Sequence, residues 1–112
     1  MSYAIKSTKA FLVGAKKLKK RYHSFEDDLE SFKASLQENP FQGTELCPGI
    51  RKIRMAIASK GRGKSGSARV ITANAIVAEH EGCIALLTIY DKADAASVKL
   101  SVIRQMAREL GF

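Results

Sequence analysis

The chain has 112 residues, of which 46% are hydrophobic, and carries a formal net charge of +8. This length fits a single domain over residues 1–112 with a modest core. No apolar run approaches the roughly 20 residues that span a bilayer, which excludes a transmembrane protein. The N-terminal stretch MSYAIKSTKAF also lacks the apolar segment of a signal peptide, so we expect a cytoplasmic protein with no membrane partner.

The first half of the chain predicts a short strand followed by two helices. Residues 3–7 have the pattern of a strand, and residues 9–22 place Phe11, Ala15, Leu18 and Tyr22 at helical spacing. The many lysines of this helix are typical of a solvated face. Ser24 is the expected cap of the second helix, acidic residues in its first turn complement the helix dipole, and Asn39-Pro40 marks its end. The buried stripe of this second helix is expected to comprise Phe25, Leu29, Phe32 and Leu36.

After Pro40 the hydrophobic period changes from helical to alternating. Residues 50–58, 68–78 and 83–92 predict three strands, and the short links between them, one a turn at Glu81-Gly82, predict an antiparallel meander. Residues 95–110 predict a last helix that stops at Gly111. The order β, α, α, β, β, β, α therefore predicts an α+β fold. In it, the helices pack on one face of a small antiparallel sheet formed by the meander and the N-terminal strand.

The charges are segregated along the chain. No Asp or Glu occurs from Leu46 to Ala78, whereas the acids are concentrated between residues 26 and 30. The acid-free stretch holds seven cations, namely Arg51, Lys52, Arg54, Lys60, Arg62, Lys64 and Arg69. This distribution is typical of a phosphate-binding surface and predicts a polyanionic partner such as nucleic acid.

The stretch GRGKSGSARVI, residues 61–71, contains the Gly-Lys-Ser that ends a nucleotide-binding P-loop. A P-loop also needs an earlier glycine, whose place is taken here by Ala58, and a helix after the loop. The β-branched run that follows Ser65 predicts a strand instead. We therefore reject nucleotide hydrolysis and expect the glycines at positions 61, 63 and 66 to form a β-hairpin tip that carries Lys60, Arg62 and Lys64.

Cysteine and histidine give no sign of a metal site or a cofactor, and we expect neither. Cys47 and Cys83 have no metal-ligand spacing and are expected to be reduced, structural thiols. His23 lies at the junction of the two helices and His80 in the turn before the last strand. Both lie away from the basic region, so neither is favoured as a proton carrier.

Three segments in this order resemble the RelE/ParE-type toxins of bacterial toxin–antitoxin modules, and within them the HigB-like branch. They are RKIRMAI, then GRGKSGSARVI, where the branch usually shows GKSGG before an Arg-Val-Ile strand, and then LLTIYDK. The resemblance covers most of the chain. It departs at Ser67, where a second glycine is usual, and in the last helix, which lacks a tyrosine that some RelE-type nucleases use. Tyr90 is the candidate to substitute for that tyrosine.

The resemblance implies an endoribonuclease that cuts messenger RNA, commonly on the ribosome, and that is neutralised by a cognate antitoxin, expected to carry a helix-turn-helix domain. An RNA 2′-OH can attack its own 3′-phosphate, so cations can align the backbone and stabilise the developing charge without a metal. We predict that Arg54, Lys64, Arg69 and Lys92 act on the phosphate and that Tyr90 stacks on a base or transfers a proton. The further RNA-binding residues are expected to be Arg51, Lys52, Lys60 and Arg62.

Other interpretations stay open at this point. ParE-like members share the fold but bind DNA gyrase without cutting RNA. A plain RNA-binding or ribosome-binding domain would use the same basic surface, although Tyr90 is its one well-placed aromatic residue. Arg69 could instead be structural, because alternation places it on the face of Ile71 and Ala73, and the charges of Lys60 and Arg62 could be merely solvated. Asp91 is expected to form a salt bridge or to cap the strand end.

Overall fold

The computed structural model of the chain describes residues 2–60, 66–94 and 98–112. The predicted hairpin tip with Arg62 and Lys64, and the start of the predicted last helix, therefore lie outside the described residues. In chain order the described elements are β1 (Ala4–Ser7), α1 (Lys9–Arg21), α2 (Phe25–Glu38), β2 (Thr44–Cys47), β3 (Ile50–Ala56), a 3-10 turn (Ala58–Lys60), β4 (Ser67–Ala78), β5 (Glu81–Asp91) and α3 (Leu100–Glu109). None of these helices is long and apolar enough to cross a membrane.

The strands form one sheet in the order β1-β5-β4-β3-β2. The antiparallel meander of β3, β4 and β5 is confirmed. The N-terminal strand β1 joins its edge as expected, but it pairs with β5 in parallel and not antiparallel. The β4–β5 turn lies at Glu79-His80, since Ala78 pairs with Glu81, and not at Glu81-Gly82 as expected. The short edge strand β2 was not predicted, because its mostly exposed side chains show no apolar alternation.

The first two helices cover one face of the sheet. Thr8 caps α1 by accepting a hydrogen bond from the Phe11 N–H over 3.0 Å, and its hydroxyl donates to the Leu87 carbonyl oxygen at 2.5 Å. Ser24 precedes α2 as predicted, but its hydroxyl makes no capping bond and instead donates to Asp28 at 2.6 Å. The core on this face combines apolar side chains of α1, α2 and the sheet, among them Phe11, Leu18, Phe25, Leu36, Met55, Val70 and Leu86.

The C-terminal helix packs on the opposite face, so the expectation that the helices share one face is wrong for α3. Ile103 is fully buried and Ala107 nearly so, against a second core formed by Ile50, Ile71, Ala73, Ala85 and Leu87. The physical reason lies in the central strands. β4 is buried continuously from Ser67 to Ala73, which requires a layer of structure on each face of the sheet.

Candidate functional site

Three of the predicted catalytic residues form a row across the sheet. Arg54 of β3 pairs directly with Arg69 of β4, and Arg69 pairs with Tyr90 of β5. Directly paired residues project from the same face of a sheet, and here it is the face on which α3 packs. The alternation of the three strands therefore brings together side chains that are up to 36 residues apart in the sequence.

Four predicted site residues line one cavity of about 600 Å³, which we call the cationic cavity. They are Lys52, Arg54, Arg69 and Lys92, and the segment from Gln42 to Thr44 forms the neighbouring wall. No acidic side chain is among these lining residues. Four cations with no counter-charge among the described lining residues give this cavity a wall whose charge would favour an anion, such as a phosphate group.

Arg69 is the buried member of the row. It is 7% exposed, and one guanidinium nitrogen donates to the Ser67 hydroxyl over 2.7 Å and to the Ala68 carbonyl oxygen over 3.4 Å. Arg54, directly opposite, is exposed. The small residue at position 67 is thus a direct partner of the buried guanidinium, a contact that a second glycine would lack.

Tyr90 is in the row but not among the residues lining the cationic cavity. Its ring packs against the core beneath α3. Its hydroxyl is buried without a hydrogen-bond partner among the described residues. Burial raises the pKa of Tyr90, and the charge of Arg69 opposes this only in part. The phenol therefore stays neutral near physiological pH, where it can donate a proton or a hydrogen bond but cannot act as a base.

Two residues predicted to bind RNA lie apart from the cavity. Arg51 lies on the other face of β3, where its guanidinium donates to the carbonyl oxygens of Gln42 at 2.8 Å and Gly43 at 3.1 Å. Lys60 is turned inward, and its side chain is only 12% exposed. Arg51 thus ties β3 to the segment before β2, and Lys60 is bound to Asp91 at the end of β5. Arg62 and Lys64 lie outside the described residues.

Asp91 confirms both expected uses, as a salt-bridge partner and as a strand-end cap. Its buried carboxylate accepts hydrogen bonds from Lys60 Nζ at 2.8 Å, the Tyr22 hydroxyl at 2.5 Å and the Ala93 N–H at 3.0 Å. Arg21 contacts it at 3.2 Å. Burial alone would raise the pKa of Asp91, but the hydrogen bonds from Lys60, Tyr22 and Ala93 outweigh it and hold this pKa well below its ordinary value. We call the side chains of Arg21, Tyr22, Lys60 and Asp91 the Asp91 cluster.

Neither histidine lies near the cationic cavity. His80 occupies the β4–β5 turn with a φ of 58°, and its ring lies 5.6 Å from that of Tyr3. His23 is exposed between α1 and α2. Within the described part of the chain, no three His, Cys, Asp or Glu side chains are placed to hold a metal ion together.

A second cavity, of about 410 Å³, opens on the same sheet face, between α3 and the β2–β3 turn. We call it the α3 cavity. Its walls include the apolar side chains of Ile50, Ala73, Ala107 and Phe112, together with Arg104 and Arg108. None of the described residues that line this cavity is acidic.

A third surface lies on the other side of the molecule, on the outer face of α1. Leu12 and Val13 are 59% and 64% exposed there, although both are large and apolar. A shallow depression beside them is lined by Val13, Lys16, Lys17, Lys20 and Arg21. The helix contains no acidic residue. We call this combined apolar and basic surface the α1 face.

Comparison with known proteins shows the fold. No protein-family model matches the chain, and no curated protein sequence matches it significantly. Among solved structures, the chain is similar to the E. coli toxin RelE in its free state, as a mutant with two arginines replaced by alanine. The similarity covers 100% of both chains with a TM-score of 0.58 and a sequence identity of 14%. The chain thus has a RelE-like α+β fold.

Proposed function

We propose that the protein is the toxin of a type II toxin–antitoxin module, of the HigB-like branch, and that it cleaves messenger RNA on the ribosome in the cytoplasm. One observation carries this proposal: Lys52, Arg54, Arg69 and Lys92 meet in an acid-free cavity on a RelE-like fold. The E. coli protein that shares the fold is itself described as a toxin. The partners would be the ribosome, its message and a cognate antitoxin with a helix-turn-helix domain.

The chemistry uses the RNA's own nucleophile. A phosphate in the cationic cavity is held by Arg54 and Arg69, and the neighbouring 2′-oxygen forms a bond to phosphorus as the bond to the 5′-oxygen breaks. The 2′-OH loses its proton and the leaving 5′-oxygen gains one, which yields a 2′,3′-cyclic phosphate and a 5′-hydroxyl. The cations act by stabilising the extra negative charge that builds on the phosphoryl oxygens between these two states.

We assign most of the catalysis to alignment and charge, because the described lining contains no group with an ordinary pKa near neutrality. Tyr90 remains the candidate proton donor to the 5′-oxygen, and its hydroxyl must first leave the buried position. Lys64 belongs to the same proposed catalytic set on the strength of the sequence resemblance. No metal ion takes part in the proposed reaction.

The buried hydroxyl of Tyr90 favours one second candidate function, a ribosome-binding or RNA-binding domain that does not cut. Such a domain would use the same cations for phosphate contacts without a proton donor in place. ParE-like inhibition of DNA gyrase is a further possibility for this fold and is tested in parallel.

The test incubates the purified protein with ribosomes programmed with a defined message and maps new RNA 5′ ends by primer extension. We expect new ends that carry a 5′-hydroxyl. Message that is bound but uncut would reject the nuclease in favour of the binding domain. Inhibited supercoiling by purified DNA gyrase, with the message intact, would indicate a ParE-like protein.

Metal independence is tested on any RNA that the protein cuts without ribosomes, since ribosomes themselves need magnesium. Excess chelator should then leave the cleavage rate unchanged. Activity that chelator removes and magnesium restores would contradict the metal-free reaction.

A further inference from the structure

We propose that the α3 cavity is a subsite for one nucleotide of the RNA strand whose cleaved phosphate occupies the cationic cavity. This inference rests on the proposed function, because it takes the substrate to be single-stranded RNA. It adds a binding site and a contribution of α3 to substrate recognition.

The two cavities lie in line along β3 and β4. The Arg54–Arg69 pair belongs to the cationic cavity and the Ile50–Ala73 pair to the α3 cavity. Between them in register lies the pair of Lys52 and Ile71. Four residues of strand, or about 13 Å, separate the Arg54–Arg69 pair from the Ile50–Ala73 pair, a distance that two successive nucleotides of an extended RNA strand can span. Lys52 lies at the edge of the cationic cavity that is nearer to the α3 cavity.

The walls of the α3 cavity fit a nucleotide better than a simple anion. Ile50, Ala73, Ala107 and Phe112 offer an apolar surface of the kind on which a flat base is buried. Arg104 and Arg108 are one helical turn apart, so both guanidinium groups lie along the same side of α3 and can reach the flanking phosphates. A nucleotide fits both parts of the wall, since its base would contact the apolar side chains and its phosphates the two arginines.

Charge favours RNA as the occupant over an apolar ligand. Among the described residues that line the two cavities none is acidic, and both cavities share one sheet face. A strand that already places a phosphate between Arg54 and Arg69 brings its next nucleotides past Lys52 at high effective concentration. The α3 cavity therefore needs little affinity of its own to bind them.

The experiment measures the affinity of 2′-O-methyl RNA, which cannot be cleaved because its nucleophile is blocked. A labelled dinucleotide and a labelled hexanucleotide are titrated by fluorescence anisotropy. The hexanucleotide should bind at least about tenfold more tightly, in the range expected when one additional base is stacked. Equal affinity of the two RNAs for the wild-type protein, or no binding of either, would overturn the proposal.

Charge reversal on α3 then locates the additional affinity. Both arginines are exposed, so Arg104→Glu and Arg108→Glu should leave the fold intact. In each variant, we expect the hexanucleotide to bind about as weakly as the dinucleotide. The affinity of the dinucleotide itself should stay within about threefold of its value for the wild-type protein. Arg54→Ala should weaken both RNAs. The control Lys33→Glu on α2 makes the same change in net charge but lies away from both cavities. It should change the affinity of neither RNA by more than about threefold.

Phe112→Ala provides a test without a change of charge. It should reduce the affinity of the hexanucleotide but not that of the dinucleotide, because it removes apolar surface from the α3 cavity alone. Equal losses for both RNAs in the Arg104 and Arg108 variants would mean general electrostatic attraction and would overturn the subsite. Hexaglutamate serves as a probe for an acidic protein partner. If the affinity of this peptide depends on Arg104 while that of the hexanucleotide does not, the RNA subsite is overturned in favour of such a partner.

These measurements are independent of cleavage. If programmed ribosomes yield no new RNA ends but the hexanucleotide still depends on α3, the nuclease is rejected and the RNA subsite stands. If cleavage occurs and the RNA length has no effect on affinity, the subsite is rejected and the nuclease stands.

Discussion

Arg54 and Arg69 are like charges held in direct register on neighbouring strands. Such a pair lowers the stability of a sheet, since like charges directly opposite repel each other. The cost is explained if the two guanidinium groups are kept for an anion that binds between them. A functional and a structural role of Arg54 can therefore be distinguished, because they predict opposite effects of its removal on the stability of the free protein.

Removing Arg54 should therefore stabilise the free protein. We expect Arg54→Ala to raise the free energy of unfolding by about 0.2–1 kcal/mol, the scale of a cross-strand pair, while it abolishes growth inhibition on expression. Urea denaturation measures the first effect. A loss of more than about 1 kcal/mol would point to a structural role.

Asp91 should show the opposite behaviour, because its carboxylate is the buried counter-charge of Lys60. Replacing it with Asn leaves Lys60 buried without an ionised partner, and we expect unfolding to become easier by about 3 kcal/mol. The double variant Asp91→Asn with Lys60→Met removes both charges and should recover much of this loss. A single variant as stable as wild type would show that the Asp91 cluster contributes nothing to folding.

The sign of the pH dependence follows from the lowered pKa of Asp91. The folded state holds the carboxylate ionised more strongly than the unfolded chain does. Its contribution is therefore complete above about pH 4 and is lost as the pH falls further. Wild type should lose stability below pH 4 more steeply than the Asp91→Asn variant. Parallel curves for the two proteins would contradict this assignment.

Alternation and charge were enough to predict part of the site. Lys52 and Arg54 alternate with the apolar residues of β3, which places both side chains on one face of the sheet. Lys60 could not be placed in this way, because its partner Asp91 is 31 residues away and belongs to another strand end. Arg51 lies on the face of β3 opposite to Lys52 and Arg54. The carbonyl groups that it binds, those of Gln42 and Gly43, precede the edge strand β2, which the sequence did not predict.

At the scale of elements, the order of helices and strands was predictable because each main element has a clear hydrophobic period. The side of the sheet on which α3 packs was not, although β4 contained a signal. In the segment SARVITA the adjacent Val70 and Ile71, which face opposite sides of the strand, are both large and apolar, and this favours a strand buried on both faces. The short strand β2 depends on pairing with β3 and has little pattern of its own.

The contact of α1 with β5 yields a prediction that contradicts helix propensity. Gly14 lies within α1, where replacement by Ala would normally stabilise a helix by about 1 kcal/mol. In this fold a Cβ at position 14 would meet the Ile89 carbonyl oxygen at 2.4 Å. We expect Gly14→Ala to lower the melting temperature. Ala10→Gly, at a partly exposed position of the same helix, measures how much helix propensity alone changes the melting temperature. A higher melting temperature for Gly14→Ala than for wild type would refute the close contact.

At the scale of the molecule, basic surfaces lie on both sides of the sheet. The cationic cavity is on one side and the α1 face on the other, and the latter adds exposed Leu12 and Val13 to its lysines. Under the proposed function, this second surface would suit an acidic, amphipathic segment of the antitoxin. Inhibition from there would exclude the protein from the ribosome without covering the cavity.

Antitoxin association should therefore be fast and sensitive to salt, wherever on the basic surface it docks. We expect the association rate constant to fall at least about tenfold from low salt to about half-molar salt, as electrostatic steering is screened. Stopped-flow fluorescence with the cognate partner measures it. Lys16→Glu should slow association if the α1 face is the docking surface, and a rate indifferent to salt would exclude the basic surfaces.

The cleavage of translated message by matched variants tests whether the cationic cavity is the site at which the RNA is cut. Wild type, Arg54→Ala and Lys33→Ala are each incubated with programmed ribosomes, and the rate at which new 5′ ends appear is measured under single-turnover conditions. We predict that Lys33→Ala cuts within about twofold of wild type and that Arg54→Ala, equally well folded, is slower by at least about a hundredfold, the cost of losing one transition-state donor. A folded Arg54→Ala protein that cuts at the wild-type rate would contradict the assignment of catalysis to the cationic cavity.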